Sequence, residues 1–135
     1  VRKYPQKLGL KIAFDDRLAR LIYAGSDFFL IPSRYEPCGL TQMYSLRYGT
    51  IPIVRSTGGL KDSVQEFNPQ RLEGNGFLFE EYETLSLLAA LDRALGFYQQ
   101  KPFWAKLKDN AFRCDFSWEK SALNYYELYL KILRF

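Results

Sequence analysis

The stretch from Ser33 to Leu60 constrains the fold more than any other part of the chain. An apolar run, Phe28-Phe29-Leu30-Ile31, feeds into Ser33-Arg34-Tyr35-Glu36-Pro37-Cys38-Gly39-Leu40-Thr41-Gln42. A helical run follows to Tyr48, then Gly49-Thr50-Ile51-Pro52-Ile53-Val54-Arg55 and Ser56-Thr57-Gly58-Gly59-Leu60. The order is strand, loop, helix, strand, glycine-rich turn, helix. Continuous apolar runs suit strands buried on both faces of a parallel sheet. Turns of this kind place backbone N–H groups at helix N-termini, just past the strand ends, where open α/β sheets bind anionic ligands. Glu36 is the one carboxylate of the first loop and sits beside that anion cradle.

The rest of the chain extends the pattern. Leu8, Leu10, Ile12 and Phe14 alternate with smaller or polar residues and predict a first strand over Lys7–Phe14. Asp15 and Asp16 then start a helix running to about Ala24, with Leu18, Leu21 and Ile22 on one face and Gly25 as its stop. In the helix Leu40–Tyr48, Leu40, Met43, Tyr44 and Arg47 form a stripe. Pro52 places the strand Ile51–Val54 near a sheet edge or at a strand start. A short helix over Leu60–Glu66, a loop over Phe67–Asn75 and a short strand Phe77–Phe79 follow. Beyond that the chain is helical: Leu85, Leu88, Leu91, Leu95 and Tyr98 predict one apolar face, Pro102 opens a second helix to about Phe112, and Ser117 caps a third with Glu119 in its first turn. Ala122, Tyr125, Tyr126, Tyr129, Ile132 and Leu133 are its apolar positions. Strands alternating with helices predict a parallel α/β sheet with flanking helices, a Rossmann-like layer structure occupying residues 1–135 as one domain.

Composition narrows the chemistry. With 47% hydrophobic and 25% charged residues, the chain is globular. A net charge of +4 mildly favours an anionic partner, but the 19 basic residues are spread evenly, against a nucleic-acid stripe. No apolar run approaches membrane-spanning length, so neither nucleic acid nor membrane is an expected partner. Histidine is absent, which removes Ser-His-Asp and Cys-His catalysis and all His-ligated metal sites. Cys38 and Cys114 lie far apart; a thiol in a ligand loop suggests a reducing compartment. The chain opens on Val1 without a signal-like segment, which predicts that it lies inside a longer protein.

Two turns are candidate phosphate cradles. Gly39 removes a side chain where a phosphate would approach, and the amides of Gly39, Leu40 and Thr41 would point at it. Thr57-Gly58-Gly59-Leu60 is the second. By spacing alone an ordinary tight turn is the better description of each, and neither is a Walker sequence. Gly74-Asn75-Gly76 lacks the third glycine of the dinucleotide fingerprint and reads as a surface loop. Glu36 is held extended by Pro37. Arg34, Arg47 and Arg55 either neutralise it or are surface charge.

The run from Ser33 to Gln42, followed by Tyr48-Gly49-Thr50 and Arg55-Ser56-Thr57-Gly58-Gly59-Leu60-Lys61-Asp62, resembles the bacterial glycogen synthase and plant starch synthase family, the ADP-glucose-using type. Gly76-Phe77-Leu78-Phe79 and Phe116-Ser117-Trp118 also resemble family landmarks, so the likeness runs from about Ile12 to Tyr129. An unbroken run with Glu-Pro-Cys-Gly is highly specific. That family has two Rossmann-like domains in a GT-B arrangement with the active site in the cleft between them. It transfers glucose from ADP-glucose to the 4-hydroxyl at the non-reducing end of an α-1,4-glucan, with retention. The resemblance covers only the C-terminal, nucleotide-binding half. The family's N-terminal Lys-Thr-Gly-Gly-Leu loop, and the upstream Arg and Lys that contact the phosphates, have no counterpart here.

The resemblance implies a role for individual residues. Glu36 matches the essential acid near the donor glucose. Cys38, Gly39, Leu40 and Thr41 match the turn that contacts glucose and phosphates, and Thr57, Gly58 and Gly59 the second turn. Phe14 stands where the family commonly has a Tyr packing on adenine. Related nucleotide-sugar transferases often carry a second Glu eight residues after the first; here that position is Tyr44, which favours the synthases. No cofactor or metal is implied. The implied partners are ADP-glucose or ADP, an α-1,4-glucan and the N-terminal domain. The implied setting is bacterial cytoplasm, or a plastid in a plant. Two alternatives stay open: a UDP-glucose-using transferase of the same fold, and a non-catalytic carbohydrate- or protein-binding module. The module reading draws on the 10 Tyr, 11 Phe and 2 Trp, most of which fall at core spacing.

Overall fold

The computed structural model describes residues 3–133. Three strands, β1 (Phe28–Ile31), β2 (Ile51–Arg55) and β3 (Phe77–Phe79), form one parallel sheet in the order β1-β2-β3. Six helices accompany it: α1 (Asp16–Gly25), α2 (Thr41–Arg47), α3 (Gly58–Ser63), α4 (Thr84–Tyr98), α5 (Lys101–Phe112) and α6 (Trp118–Ile132). The parallel α/β architecture expected from the alternating runs is present. α3 begins two residues earlier than expected and ends at Ser63.

β2 is buried at Ile51–Val54 and separates two apolar clusters. On one face Leu46, Ile51, Ile53, Phe67, Phe77 and Phe79 pack with Ala90, Ala94, Leu107 and Ala111 of α4 and α5. On the other, Ile31, Val54, Leu60 and Val64 pack together. Alternate residues of one strand feeding opposite faces is what a sheet layered on both sides requires.

Several sequence expectations are corrected. Lys7–Phe14 forms no strand. Leu10, Ile12 and Phe14 are exposed, because the segment meets no neighbouring strand to pair with among the described residues. Of the two placements for Pro52, the strand start holds and the edge does not: it is the second residue of β2, the central strand. It pairs in register with Phe29, while pairing to β3 starts only at Ile53 with Phe77. The missing N–H therefore falls just before the second ladder begins, where Gly76 leaves room for the proline ring.

Helix faces are also rotated from expectation. In α1 the buried residue is Tyr23, while Leu21 and Ile22 are exposed. In α2 the inward residues are Gln42, Ser45 and Leu46, not the stripe of Leu40, Met43, Tyr44 and Arg47. In α4, Ala90 and Ala94 are buried, with Leu87, Leu91 and Phe97 against the core, while Leu85, Leu88, Leu95 and Tyr98 are largely exposed. Small residues permit the closest approach of a helix to the sheet, and size, not hydrophobicity alone, aims it. α6 buries no residue.

The local start signals act as read. Asp15 Oδ1 accepts from Leu18 N at 2.9 Å and caps α1. Ser117 Oγ accepts from Lys120 N at 3.3 Å and caps α6. Pro102 stands in the first turn of α5, where its missing N–H costs nothing.

Candidate active site

The turn after β1 and the turn after β2 lie against one another at the C-terminal end of the sheet. Gly59 N donates to Glu36 O at 3.2 Å and to Pro37 O at 3.3 Å. A Cβ on Gly58 would run into the Glu36 carbonyl, and one on Gly59 into the Cys38 carbonyl. The glycine pair is thus the floor on which the Glu36–Gly39 turn rests. The two turns form one unit, and the Gly59 amide is already occupied within it. As an independent phosphate cradle, the second turn has therefore lost one of its amides to the first.

In the first turn, the amides of Gly39, Leu40 and Thr41 have no backbone acceptor among the described residues. They are the free donors at the entrance of α2, as the orphan N–H groups of a helix start must be. Gly39 has φ +72 and carries the Gln42 carboxamide where a side chain would be, with a Cβ there 2.6 Å from Gln42 Oε1. Its glycine is therefore required by the backbone and by Gln42, whatever binds outside. Cys38 is exposed and reduced, and Cys114 is a half-buried free thiol.

Glu36 is half-buried, and Ser33 Oγ donates to its Oε2 at 3.5 Å. None of the three nearby arginines pairs with it among the described residues. Arg55 instead donates from Nη1 to Arg34 O at 2.7 Å and from Nε to Glu80 O at 3.1 Å, and its guanidinium lies 5.8 Å from the Tyr82 ring centroid. It ties the loop after β1 to the loop after β3. Of the alternatives for Arg55, neither neutralising Glu36 nor idle surface charge holds; it is a backbone brace.

Gln42 was invisible to a reading of hydrophobic periodicity. It is fully buried, and its Nε2 donates to Gly39 O at 2.7 Å, Cys38 O at 3.4 Å and Ser63 Oγ at 3.0 Å. Its Oε1 is buried with no partner among the described residues, an expense of about 1–3 kcal/mol. The available signal was a polar residue closing the most distinctive motif of the chain.

Phe14 is not brought to this unit by any packing contact: it stands fully exposed just ahead of the α1 cap. Two depressions among the described residues also lie elsewhere. One, of about 560 Å³, is an open groove at the opposite end of β3, lined by residues including Arg71, Glu73, Lys106 and Cys114. The other, of about 480 Å³, runs along α1 past Arg17, Arg20 and Tyr48. The Glu36 turn is an open shelf. No group of three or more His, Cys, Asp or Glu side chains among the described residues is placed to hold a metal ion, and no helix among them is long and apolar enough to cross a membrane.

A parallel α/β sheet flanked by helices, with free amides and an acid at its strand ends, is a Rossmann-like layer structure. Residues 11–111 match the model of the glycosyl transferases group 1 family, and the chain belongs to that family. It is 56% identical over 131 residues to a glycogen synthase of Kosmotoga olearia, covering 97% of this chain and 28% of that protein. Against a glycogen synthase of Fervidobacterium nodosum the identity is 59% over 127 residues, covering 94% of this chain and 26% of the relative. The chain therefore spans little more than a quarter of the length of these relatives. Among solved structures, it is similar to the catalytic domain of starch synthase IV from Arabidopsis thaliana bound to ADP and acarbose, with a TM-score of 0.78, 42% identity, and coverage of 89% of this chain and 25% of that one.

Proposed function

We propose that this chain is the donor-binding part of a retaining glucosyltransferase that moves glucose from ADP-glucose to the non-reducing end of an α-1,4-glucan. The observation that carries the reading is the turn from Glu36 to Thr41: one acid and, among the described residues, three unpartnered amides at the C-terminal end of a parallel sheet. The identity to glycogen synthases and the likeness to a starch synthase domain solved with ADP support the choice of donor and acceptor.

The chemistry follows from charge. As the glycosidic bond to ADP breaks, negative charge grows on the β-phosphate and oxocarbenium character on the glucose. The amides of Gly39, Leu40 and Thr41 donate to the phosphate and strengthen as its charge rises, which lowers the barrier. Glu36 orients the glucose hydroxyls and offsets the positive charge, without acting as a covalent nucleophile. Cys38 lines the sugar side of the turn. Thr57, Gly58 and Gly59 contribute mainly by holding that turn in place. Phe14 stacks on the adenine. The open shelf is one wall of a cleft; the facing wall comes from another domain of a longer protein, in the cytoplasm or a plastid.

Competition between ADP and UDP for this chain tests the reading. ADP binding that UDP displaces only weakly supports it; preference for UDP assigns the other transferase. Glucan capture without any nucleotide binding would make the chain a carbohydrate-binding module and overturn the proposal.

A further inference from the structure

We infer that Gln42 is a positioning residue whose buried carboxamide fastens the Glu36–Gly39 turn to α3 and so sets the direction of the ligand-facing amides. The inference rests on the donor-site reading above. Gln42 Nε2 reaches Cys38 O and Gly39 O in the first turn and Ser63 Oγ in α3. Ser63 Oγ in turn donates to Gly59 O at 2.7 Å in the second turn. Two buried side chains thus link both turns, and the carboxamide fills the space over the Gly39 Cα.

The orphaned Oε1 identifies which end of the amide matters. Reversing the group would turn that oxygen toward the carbonyls of Cys38 and Gly39, acceptor against acceptor. The donor end therefore dictates the orientation, and the acceptor end is left unmet. A residue kept only for packing would be replaced by an apolar one of equal volume at no cost to this network. The peptide unit held most tightly, at Gly39 O, belongs to the same turn whose amides are free.

Gln42→Met, Gln42→Glu and Ser63→Ala in this chain test the inference, read by amide-exchange protection factors and by ADP titration. Methionine keeps the volume and loses the donor. Protection of the Gly59 amide, which donates to Glu36 O and Pro37 O, should fall by about tenfold, and ADP affinity by a similar factor, the scale of one or two lost hydrogen bonds. Protection at Ile53 and Val54 in the central strand should hold. The carboxyl introduced by Gln42→Glu can donate only when protonated, and burial against the Cys38 and Gly39 carbonyls favours that form as pH falls. Both readouts should then recover in Gln42→Glu and not in Gln42→Met. The methionine protein at each pH is the reference. Ser63→Ala removes the link to Gly59 without altering α2 and should reproduce the Gly59 effect.

Unchanged Gly59 protection, or loss of protection at Ile53 and Val54 in step with Gly59, would make Gln42 an ordinary core residue and overturn the inference. So would failure of Gln42→Glu to recover. Absence of ADP binding in the unaltered chain would overturn the donor-site reading instead, while the exchange pattern still decides whether Gln42 holds the turn.

Discussion

Glu36 and Phe14 occupy opposite kinds of surroundings, and this makes their substitutions easy to separate. Glu36 sits in a turn whose carbonyl is gripped by Gly59 N, with its carboxylate near Ser33. The backbone contact survives truncation of the side chain. On the proposed reading the acid faces the sugar, so Glu36→Ala in a longer protein carrying this chain should lower turnover by orders of magnitude and change ADP affinity little. Steady-state kinetics beside ADP titration check this, and near-normal turnover would remove Glu36 from the chemistry. Phe14 is fully exposed, so Phe14→Ala should leave thermal stability within about 0.5 kcal/mol. Any loss of ADP affinity then reports a contact with the base, expected at about 1–3 kcal/mol. Unchanged affinity would exclude Phe14 from the site.

At the scale of elements, α4 and α5 supply most of the helical side of the core. Gly96 lies inside α4 with open space around the position of a Cβ and is exposed. Gly96→Ala should stabilise the chain by about 0.5–1 kcal/mol through lower backbone entropy of the unfolded state; chemical denaturation measures it, and a lower midpoint would contradict the helix geometry. On α5, Asp109 accepts from Arg113 Nε at 3.0 Å and from Lys106 Nζ at 3.4 Å. The hydrogen bond from Arg113 is the main cause that holds its carboxyl below the usual carboxylate range. A depressed folded value means stability present above the unfolded value, about 3.9, and lost as pH falls through the folded one. The melting-temperature gap between the wild type and Asp109→Asn should therefore be small, constant above about pH 5, and close on further acidification. A gap that widens in acid would reverse the assignment.

At the scale of the whole molecule, two segments of the described residues carry uncovered apolar surface. One comprises Leu10, Ile12 and Phe14 on the irregular segment before α1; the other is α6, whose Leu123, Tyr125, Tyr126, Tyr129 and Ile132 are all exposed. Such surface favours association. The chain alone should self-associate as concentration rises, bind ADP weakly, and transfer no glucose to glycogen, since orientation across a closed cleft supplies much of the barrier reduction. Sedimentation over a concentration series and radiolabelled ADP-glucose incorporation are the measurements. Incorporation well above a Glu36→Ala control would show that one wall suffices.

What the sequence alone determined is what local chemistry controls. The apolar runs at Phe28–Ile31 and Ile51–Val54 had to be strands; the second is buried along its length, while the first is the outer strand of the described sheet, with Leu30 exposed, rather than buried on both faces. Asp15 and Ser117 had to open helices, Pro102 could stand only in a first turn, and the Ser33–Gln42 run carried the family. Each rests on a few consecutive residues whose torsions, caps or solvation leave little choice. The tertiary structure decided everything that needs a second segment. Lys7–Phe14 alternates like a strand but has no ladder to join among the described residues. Pro52 is central because β3 begins one residue too late to need its N–H. α2 and α4 turn polar or small residues inward because close approach and buried hydrogen bonds outweigh raw hydrophobicity. Gly58 and Gly59 looked like an anion cradle, and the fold uses them to let the Glu36 turn come within backbone contact. Periodicity along one segment carries no information about where another backbone will lie, and both the floor under Glu36 and the grip of Gln42 depend on that placement.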